Sequence, residues 1–318
     1  MKIIGLGSAL PKLRVTNDML STFLDTSDEW ISTRTGIKER RILSDEMLED
    51  LAAEAVKKAL AQAKITADEI DYIICSNANN EYTTPALACI IQGLVGADCP
   101  AVDANAACAG FVYALELAEG LLLGNKYNKI LIVCAESLSK MVDWEDRATC
   151  VLFGDGVGAA IVEKSEDPFL FKTGSKPDKE IIYGRNQPGN APYTTNKQDA
   201  IGMQMQGQEV YRFAVSAATE DIKELLDEAG LTPEEIKFFL LHQANQRIMN
   251  GVQKRLRVAK EAVPSNIAKY GNTSSASIPI LLDELVREGL LQKGDKLVMS
   301  AFGAGLVTGA CLFTWAGV

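Results

Sequence analysis

Apolar and polar positions follow a pattern along this chain that occurs twice. Residues 57–79 align with residues 223–245 at an offset of 166 without a gap. Each segment begins with an amphipathic helical pattern, continues through an acidic turn that starts with threonine, and ends in an apolar run with a polar tip. Farther along, residues 129–135 match residues 296–302 at an offset of 167. The pattern therefore predicts a duplicated α/β fold.

One segment in each predicted half is expected at the centre of the fold. Residues 111–123 are apolar on nearly every side, and residues 278–291 occupy the corresponding place in the second half. A helix that is apolar all round is normally buried inside a domain. Ligands of such sheets collect outside the carboxyl ends of the strands, so the site is expected at that edge. The two halves are predicted as residues 1–165 and residues 166–318.

The C-terminal segment has two interpretations. Residues 297–318 carry no charge and are numerous enough to span a bilayer. Gly303, Gly305 and Gly309 interrupt the segment, which favours two short buried strands joined by a turn. A membrane anchor is the alternative, and the strand prediction, with no membrane partner, is preferred.

Composition narrows the class of protein. Hydrophobic residues make up 47% and charged residues 23%, as in ordinary globular proteins, and the formal net charge of -10 argues against a nucleic-acid partner. The seven cysteines include no C-x-x-C pair, so no metal site and no disulfide framework is indicated. Because residues 1–11 also lack the features of a secretory signal, a reducing, cytoplasmic location is expected.

Two side chains stand out as candidates for chemistry. Cys108 precedes the first predicted central helix, where the positive end of the helix dipole favours a nucleophilic thiolate. His242 is the only histidine, and it follows a predicted strand. Cysteines are more often small buried hydrophobes, and this is the interpretation for most of the others. The runs at residues 153–158 and 302–305 are predicted to be tight glycine turns.

A basic cluster follows His242 in this acidic chain. Either it forms a solvated helix face, or it docks an acidic partner. Its members are Arg247, Lys254, Arg255, Arg257 and Lys260.

Four dispersed motifs together resemble those of the β-ketoacyl-acyl-carrier-protein synthase III family. The motifs are DANAACAGF at residues 103–111, HQAN at residues 242–245, GNTSSAS at residues 271–277, and TSDEWI at residues 26–31 with RTGI at residues 34–37. The resemblance runs essentially from end to end. It implies a thiolase-like fold in α-β-α-β-α layers. It also implies the decarboxylative condensation of an acyl-CoA with malonyl-acyl-carrier protein that initiates fatty acid synthesis.

The resemblance implies a catalytic triad of Cys108, His242 and Asn272. In this family the cysteine accepts the acyl group, and backbone N–H groups, here of Cys108 and Ala304, hold the oxyanion. The histidine and asparagine then stabilise the enolate of the malonyl group. Elongating relatives use two histidines, so the single histidine fits the initiating class. No cofactor is expected, since the CoA thioester is a substrate.

Binding residues are implied in the same way. Trp30 is expected to stack on the CoA adenine, with Arg34 and Arg147 meeting its phosphates. Thr84 and Phe302 are expected to border the acyl pocket, Thr84 reaching it from the neighbouring subunit of a homodimer. Some relatives carry a bulky aromatic residue near this position that closes the pocket. Because Thr84 is smaller, longer or branched acyl groups are predicted to fit. The expected carrier-protein dock comprises Arg212, Arg247, Lys254, Arg255 and Arg257.

Two alternatives stay open from the sequence. A condensing enzyme of secondary metabolism would use the same triad on another starter or acceptor. A catalytically silent thiolase-fold partner would not need to keep Cys108, His242 and Asn272 together, so it is disfavoured.

Overall fold

Two β-sheets, one from each half of the sequence, form the frame of the protein. The computed structural model describes residues 1–185, residue 193 and residues 199–318. The strands before residue 165 are β1 Lys2–Ala9, β2 Leu13–Thr16, β3 Glu39–Ile42, β4 Tyr72–Ser76, β5 Ala101–Ala104, β6 Lys129–Ser137 and β7 Asp155–Glu163. Those that follow are β8 Phe169–Asp178, β9 Ile182–Arg185, β10 Ile201–Met205, β11 Phe238–Leu241, β12 Lys296–Gly303 and β13 Gly305–Thr314.

Helices connect the strands and cover both sheets. The α-helices are α1 Asn17–Leu20, α2 Asp28–Thr35, α3 Leu48–Ala63, α4 Leu87–Val95, α5 Gly110–Leu123, α6 Gly207–Ala229, α7 Gln246–Leu256, α8 Ile267–Tyr270 and α9 Ser277–Arg287. One-turn 3-10 helices occur at Ala67–Glu69, Ala107–Ala109, Leu138–Lys140, Pro233–Glu235, Lys260–Ala262 and Ser274–Ala276.

Strand order confirms the duplication. The first sheet has the order β1-β7-β6-β4-β5, and the second has the order β8-β13-β12-β11. In each sheet two central strands are parallel, β4 with β6 and β11 with β12. The next two strands on the β6 and β12 side, β7 then β1 and β13 then β8, pair in antiparallel fashion. On the other side of the first sheet, β5 runs parallel to β4. Four strands therefore correspond one to one, and β5 extends only the first sheet. The predicted boundary at residues 165 and 166 falls between β7 and β8.

The two acidic turns of the repeat have the same local structure. Thr66 caps the first turn and Thr232 caps the second. In both, the threonine side chain accepts from the backbone of a glutamate three residues later, whose carboxylate accepts from the threonine N–H. The same reciprocal cap therefore lies at equivalent places in the two halves, shortly before β4 and β11 begin.

Three apolar cores give the five layers that the resemblance implied. The central core lies between the sheets and contains α5 and α9. A second core packs α3 and α4 on the outer face of the first sheet, and a third packs α6 and α7 on the outer face of the second. Along β6, Ile132 faces the central core and Val133 the outer one, because successive side chains alternate between the faces of a sheet. The predicted α-β-α-β-α layers are confirmed.

The C-terminal apolar segment forms strands, as predicted. Residues Lys296–Gly303 and Gly305–Thr314 are the antiparallel strands β12 and β13 of the second sheet. No helix among the described residues is both long and apolar enough to cross a membrane.

The predicted turn at residues 153–158 is wrong in part. Strand β7 begins at Asp155, so Gly156 and Gly158 lie within it. A Cβ atom at Gly158 would lie only 2.7 Å from Cγ of Pro279 on α9. The glycine is required there because the central helix packs closely against the strand.

Candidate active site

Two matching one-turn helices bring the candidate residues together. Ala107–Ala109 precedes α5, and Ser274–Ala276 precedes α9. Each begins with a residue of positive φ, 46° at Ala107 and 50° at Ser274. The nucleophile candidate Cys108 lies in the first turn. The second belongs to residues 272–277, called here the serine loop.

The serine loop contacts all three predicted triad residues. Asn272, which begins the loop, accepts a hydrogen bond on Oδ1 from the Ser274 N–H at 2.8 Å. The Ser274 hydroxyl donates to the Cys108 sulfur at 3.4 Å. Oγ of Ser277 lies 2.8 Å from Nδ1 of His242. One short loop therefore fixes the cysteine, histidine and asparagine relative to one another.

His242 is a buried, neutral imidazole. It follows β11, and its N–H donates to the carbonyl of Ser300 on β12 at 2.8 Å. The Phe302 ring meets it edge to face, with 5.4 Å between the ring centroids. Burial lowers the pKa of His242 to about 3. The side chain therefore offers hydrogen bonds at neutral pH rather than a positive charge.

Cys108 is a protonated thiol in the resting site. Burial of the sulfur outweighs the hydrogen bond from Ser274 and, with a smaller contribution from the charge of Glu136, raises the pKa of Cys108 to about 12. This differs from the thiolate expected at a helix N-terminus. The regular helix α5 starts at Gly110, two residues after the cysteine, and desolvation outweighs the effect of the helix.

The turn between β12 and β13 approaches the backbone of Cys108. A Cβ atom at Gly303 would lie 2.8 Å from the Cys108 nitrogen, so only glycine leaves space beside this N–H. Ala304 follows in the turn and lines the same cavity as Cys108. The structure thus brings together the two residues predicted to hold an oxyanion.

An inner cavity of about 130 Å³ contains the predicted triad. Cys108, His242, Asn272 and Phe302 all line it. Apolar side chains complete its wall, among them Leu138, Leu152, Phe153, Ile182, Met203, Met205, Val210 and Ile248. Thr84 is exposed in the single chain and does not line this cavity. Its contribution from a neighbouring subunit stays a prediction.

A wide outer cavity of about 1360 Å³ leads to the inner one. Trp30 and Arg34 line it, and Gly207, Asn245 and Ile248 line both cavities. The guanidinium carbon of Arg34 lies 4.7 Å from the centroid of the Trp30 ring.

Arg147 joins the same aromatic side chain. Its guanidinium carbon lies 5.2 Å from the centroid of Trp30, and Nη1 lies 3.1 Å from the Asp25 carboxylate. The structure therefore clusters the three predicted CoA-binding residues at the mouth of the site.

The predicted docking cluster is divided. Arg212, Arg247 and Lys254 line the outer cavity beside the CoA cluster. Arg255 instead donates to the Ser216 hydroxyl at 3.0 Å, and Arg257 caps the C-terminus of α7 in a left-handed conformation. Neither lines the cavity. Residues seven apart on a helix share a face, so Arg247 and Lys254 stay together while their neighbours diverge.

Several residues of the site escape prediction from the sequence. Ser274 and Ser277 contact the triad, yet serine is common in loops and gives no separate signal. Glu136 is fully buried near Cys108, and the sequence signal for it is a lone carboxylate in the apolar run of β6. Met203 and Met205 line the inner cavity from β10, whose sequence carries no motif.

Metal sites give a negative result. Across the residues that the structure describes, no group of three or more His, Cys, Asp or Glu side chains is placed to hold a metal ion.

Comparison with known proteins gives one family. Residues 102–177 match the model for 3-oxoacyl-acyl-carrier-protein (ACP) synthase III, and residues 226–315 match the model for the C-terminal part of that enzyme. A β-ketoacyl-ACP synthase III of Clostridium perfringens is 46% identical over 98% of both chains.

Solved structures agree with these matches. The crystal structure of 3-oxoacyl-ACP synthase III from Aquifex aeolicus has a TM-score of 0.91 and 42% identity, covering 99% of both chains. A priming β-ketosynthase of the R1128 polyketide pathway also has a TM-score of 0.91, at 33% identity over 99% of this chain and 96% of that one.

Proposed function

The chain belongs to the 3-oxoacyl-ACP synthase III family, also called β-ketoacyl-ACP synthase III, and from this premise we propose how its residues perform the reaction. The enzyme condenses an acyl-CoA starter with malonyl-ACP and so initiates fatty acid biosynthesis. The observation that carries the assignment of roles is that Cys108, His242 and Asn272 line one cavity. The proposed steps need no cofactor, since the thioester itself is the reactive group.

In the first step, Cys108 accepts the acyl group. Its sulfur attacks the thioester carbonyl, the bond to the CoA sulfur breaks, and CoA leaves as the thiol. The N–H groups of Cys108 and Ala304 stabilise the oxyanion of the tetrahedral intermediate. The close approach of Gly303 to the Cys108 nitrogen supports this pairing.

In the second step, His242 and Asn272 donate to the thioester oxygen of the malonyl group. Oδ1 of Asn272 already accepts from Ser274, so its NH₂ group is the end that donates. The Ser277 oxygen accepts from the Gln243 N–H at 3.3 Å, which leaves its hydroxyl proton for Nδ1 of His242. The ring proton is then on Nε2. These two donors stabilise the enolate formed as CO₂ departs, and its carbanion attacks the acyl-cysteine.

The outer cavity holds the CoA part of the first substrate. Trp30 stacks on the adenine, and Arg34 and Arg147 meet the phosphates. Both guanidinium groups already lie within 6 Å of the Trp30 ring, which supports a common site.

The carrier protein docks at the same opening. Arg247 and Lys254 lie on one face of α7, and Arg212 lies opposite them on α6. Carrier proteins of this family are acidic, so a basic rim attracts the partner and orients its prosthetic arm towards Cys108.

The active form is a homodimer joined along β5. This strand is the edge of the first sheet, and it exposes Val102. Leu94 and Leu117 are exposed on α4 and α5, so apolar side chains accompany this edge strand, which pairs with β4 on one side. The free side of an edge strand is able to pair with another chain. Thr84 would then reach the active site of the neighbouring subunit.

All seven cysteines are free, which supports a reducing, cytoplasmic location.

Intact-protein mass spectrometry tests the proposed chemistry. The protein is incubated with straight and branched acyl-CoAs from acetyl to octanoyl, beside the variant Cys108→Ser. One acyl adduct on the wild-type chain, absent from the variant, is expected. A folded wild-type protein that forms no adduct with any of these donors contradicts the assignment. A sharp fall in adduct formation from acetyl-CoA to butyryl- and isobutyryl-CoA contradicts the prediction for Thr84.

A second candidate function is the priming of a polyketide rather than of a fatty acid. The similarity to the R1128 priming enzyme at a TM-score of 0.91 supports it. The same acyl-CoA panel separates the two functions, because a strong preference for a starter other than the common short acyl groups favours the polyketide role.

Charge reversal at the opening tests the docking surface. Arg247→Glu with Lys254→Glu is expected to raise the Michaelis constant for malonyl-ACP about tenfold or more. The Michaelis constant for acyl-CoA should rise by a smaller factor, because the same side chains also border the cavity that holds CoA. Arg255→Glu with Arg257→Glu is the matched control, since it also reverses two positive charges at the end of α7 but outside the cavity. Equal effects of both changes would exclude a localised dock.

A further inference from the structure

Arg40 is a charged side chain that takes no part in the proposed steps. It lies on β3 and has no exposed surface, and its guanidinium group donates to Val15, Asn17 and Val151. None of the ion pairs among the described residues includes it. Burial lowers its pKa to about 10, so the group is positively charged at neutral pH. A buried cation is costly unless its donors are satisfied, so these hydrogen bonds hold their acceptors firmly.

One end of the guanidinium group is connected to α2 through Asn17. Nη1 of Arg40 donates to Oδ1 of Asn17 at 2.8 Å. The NH₂ group of the same amide donates at 2.8 Å to the carboxylate of Asp28, the first residue of α2. The buried amide therefore lies between a cation and an anion, and its dipole is favourably oriented towards both. This chain of hydrogen bonds fixes the start of the helix that carries Trp30.

The other end of the guanidinium group holds the segment that supports Asn272. Nη2 of Arg40 donates to the carbonyl of Val151 at 2.7 Å. The carbonyl of the next residue, Leu152, accepts from the Asn272 N–H at 2.8 Å, and the Gly154 N–H donates to the Asn272 carbonyl at 3.0 Å. A Cβ atom at Gly154 would lie only 3.1 Å from Cβ of Arg40, so the arginine packs directly against this segment. Asn272 is thus held by residues whose position depends on the buried cation.

The turn before Val151 also carries Arg147. The N–H groups of Thr149 and Cys150 both donate to the carbonyl of Asp146, at 3.2 Å and 3.0 Å. Arg147 and Val151 therefore belong to one compact turn. Helix α2 and this turn form the two sides of the CoA cluster, and the buried guanidinium group bonds to both.

We propose that Arg40 is a positioning residue that couples the binding of CoA at Trp30 to the placement of Asn272. Arg40 lines neither cavity, so it does not touch a substrate. It acts through the two ends of its guanidinium group, which connect α2 to residues 151–154. A shift of α2 is thereby transmitted to the side chain that donates to the enolate. The inference rests on the proposed roles of Trp30 and Asn272.

A double-mutant cycle measures this coupling. The dissociation constant for CoA is determined by isothermal titration calorimetry for the wild-type chain, Arg40→Lys, Asp28→Ala and the double variant. Arg40→Lys is expected to weaken CoA binding about tenfold, because one ammonium nitrogen cannot bond to both Asn17 and Val151. Asp28→Ala is expected to weaken it about fivefold through the loss of its hydrogen bond. The double variant should bind CoA little more weakly than Arg40→Lys, since both changes interrupt the same chain of hydrogen bonds.

Decarboxylation of malonyl-ACP tests the connection to Asn272. At saturating malonyl-ACP the rate is expected to fall about tenfold in Arg40→Lys and about threefold in Asp28→Ala. Iodoacetamide alkylation of Cys108, located by peptide mass spectrometry, should keep the wild-type rate, because the cysteine is not held by this chain of hydrogen bonds. A general loosening of the fold would instead change the alkylation rate as well.

Two neighbouring residues provide matched controls. Arg41→Lys changes the next arginine of β3, whose Nη1 donates to the carbonyls of Pro11 and Lys12 at 3.4 Å and 3.3 Å. Glu29→Ala removes an exposed carboxylate from the same first turn of α2, where Asn17 bonds to the preceding residue. Both variants should keep the wild-type CoA affinity and decarboxylation rate.

The outcomes separate this proposal from the function itself. Effects on CoA binding that multiply in the double variant, or an unchanged decarboxylation rate in Arg40→Lys, overturn the coupling. Asp28 is exposed, so its variant decides the question if Arg40→Lys does not fold: a decarboxylation rate equal to that of Glu29→Ala overturns the coupling. CoA binding requires no chemistry, so a wild-type protein that gives the predicted cycle but is never acylated contradicts the proposed function and supports the coupling.

Discussion

The burial of His242 predicts a specific dependence of stability on pH. It is the only histidine in the chain, so its contribution is measurable by itself. Burial lowers the folded-state pKa to about 3 from an ordinary value of 6.5. Below pH 6.5 the imidazole of His242 therefore binds a proton in the unfolded chain but stays neutral in the folded chain. Stability from this group is fully present above pH 6.5 and is lost as the pH falls towards 3.

The size of the effect follows from the two pKa values. At pH 5 the protonated form of an unfolded histidine exceeds the neutral form about thirtyfold, which favours unfolding by about 2 kcal/mol. Glu136 acts in the opposite direction, because its raised pKa lets the folded chain bind a proton first. Its contribution is present below its ordinary value of 4.5 and is lost as the pH rises through about 7. A comparison with His242→Gln, which retains Glu136, cancels that contribution.

Urea unfolding followed by tryptophan fluorescence measures the difference. The free energy of unfolding is determined at pH 8 and at pH 5 for the wild-type chain and for His242→Gln, at one protein concentration because association would change it. From pH 8 to pH 5 the free energy of unfolding should fall by about 2 kcal/mol more in the wild-type chain than in the variant. Any constant cost of the substitution cancels. An equal change in both chains would mean that His242 is protonated in the fold, and its role as a neutral donor would be refuted.

Three other substitutions test separate parts of the site. Trp30→Ala should raise the Michaelis constant for acyl-CoA about tenfold through the loss of stacking, with no change in alkylation of Cys108; an unchanged constant would remove Trp30 from the CoA site. Gly303→Ala should slow acylation about a hundredfold by displacing the Cys108 N–H, measured as adduct formation in protein whose circular dichroism is unchanged; a normal rate would exclude this N–H from the oxyanion site. Ser277→Ala should slow malonyl decarboxylation about tenfold or more while adduct formation stays normal, since only the second step needs the Nε2 proton of His242; slowing of both steps alike would indicate a general structural role.

Much of this architecture is predictable from the sequence because it is repeated there. Two copies of one hydrophobic pattern, matched at offsets of 166 and 167, imply two equivalent sheets, and the strand orders agree. Residue types then locate the chemistry, since Cys108, His242 and Asn272 lie at ends of the repeated elements, which the duplication brings to one edge.

The remainder depends on contacts that a linear pattern does not contain. Gly158 resembles a turn glycine in the sequence, but its neighbour Pro279 comes from α9, far along the chain. The ionisation of Cys108 is set by desolvation, which reverses the effect expected from its position before a helix. The basic cluster separates because helical geometry directs Arg255 to Ser216 and not towards the cavity.

The polar and the apolar parts of the inner cavity wall differ in how freely their residues can change in evolution. The reacting groups lie on short turns that lock into each other, where a Cβ atom at Gly303 or a lost hydroxyl at Ser274 disturbs the centre. The apolar side chains Ile182, Met203 and Met205 instead belong to β9 and β10, which pair with each other in a two-stranded sheet separate from the two large sheets. Substitutions on these two strands are expected to change the shape of the apolar wall and to leave the hydrogen bonds around Cys108, His242 and Asn272 in place. Starter specificity is thus expected to change in evolution more readily than the reaction itself.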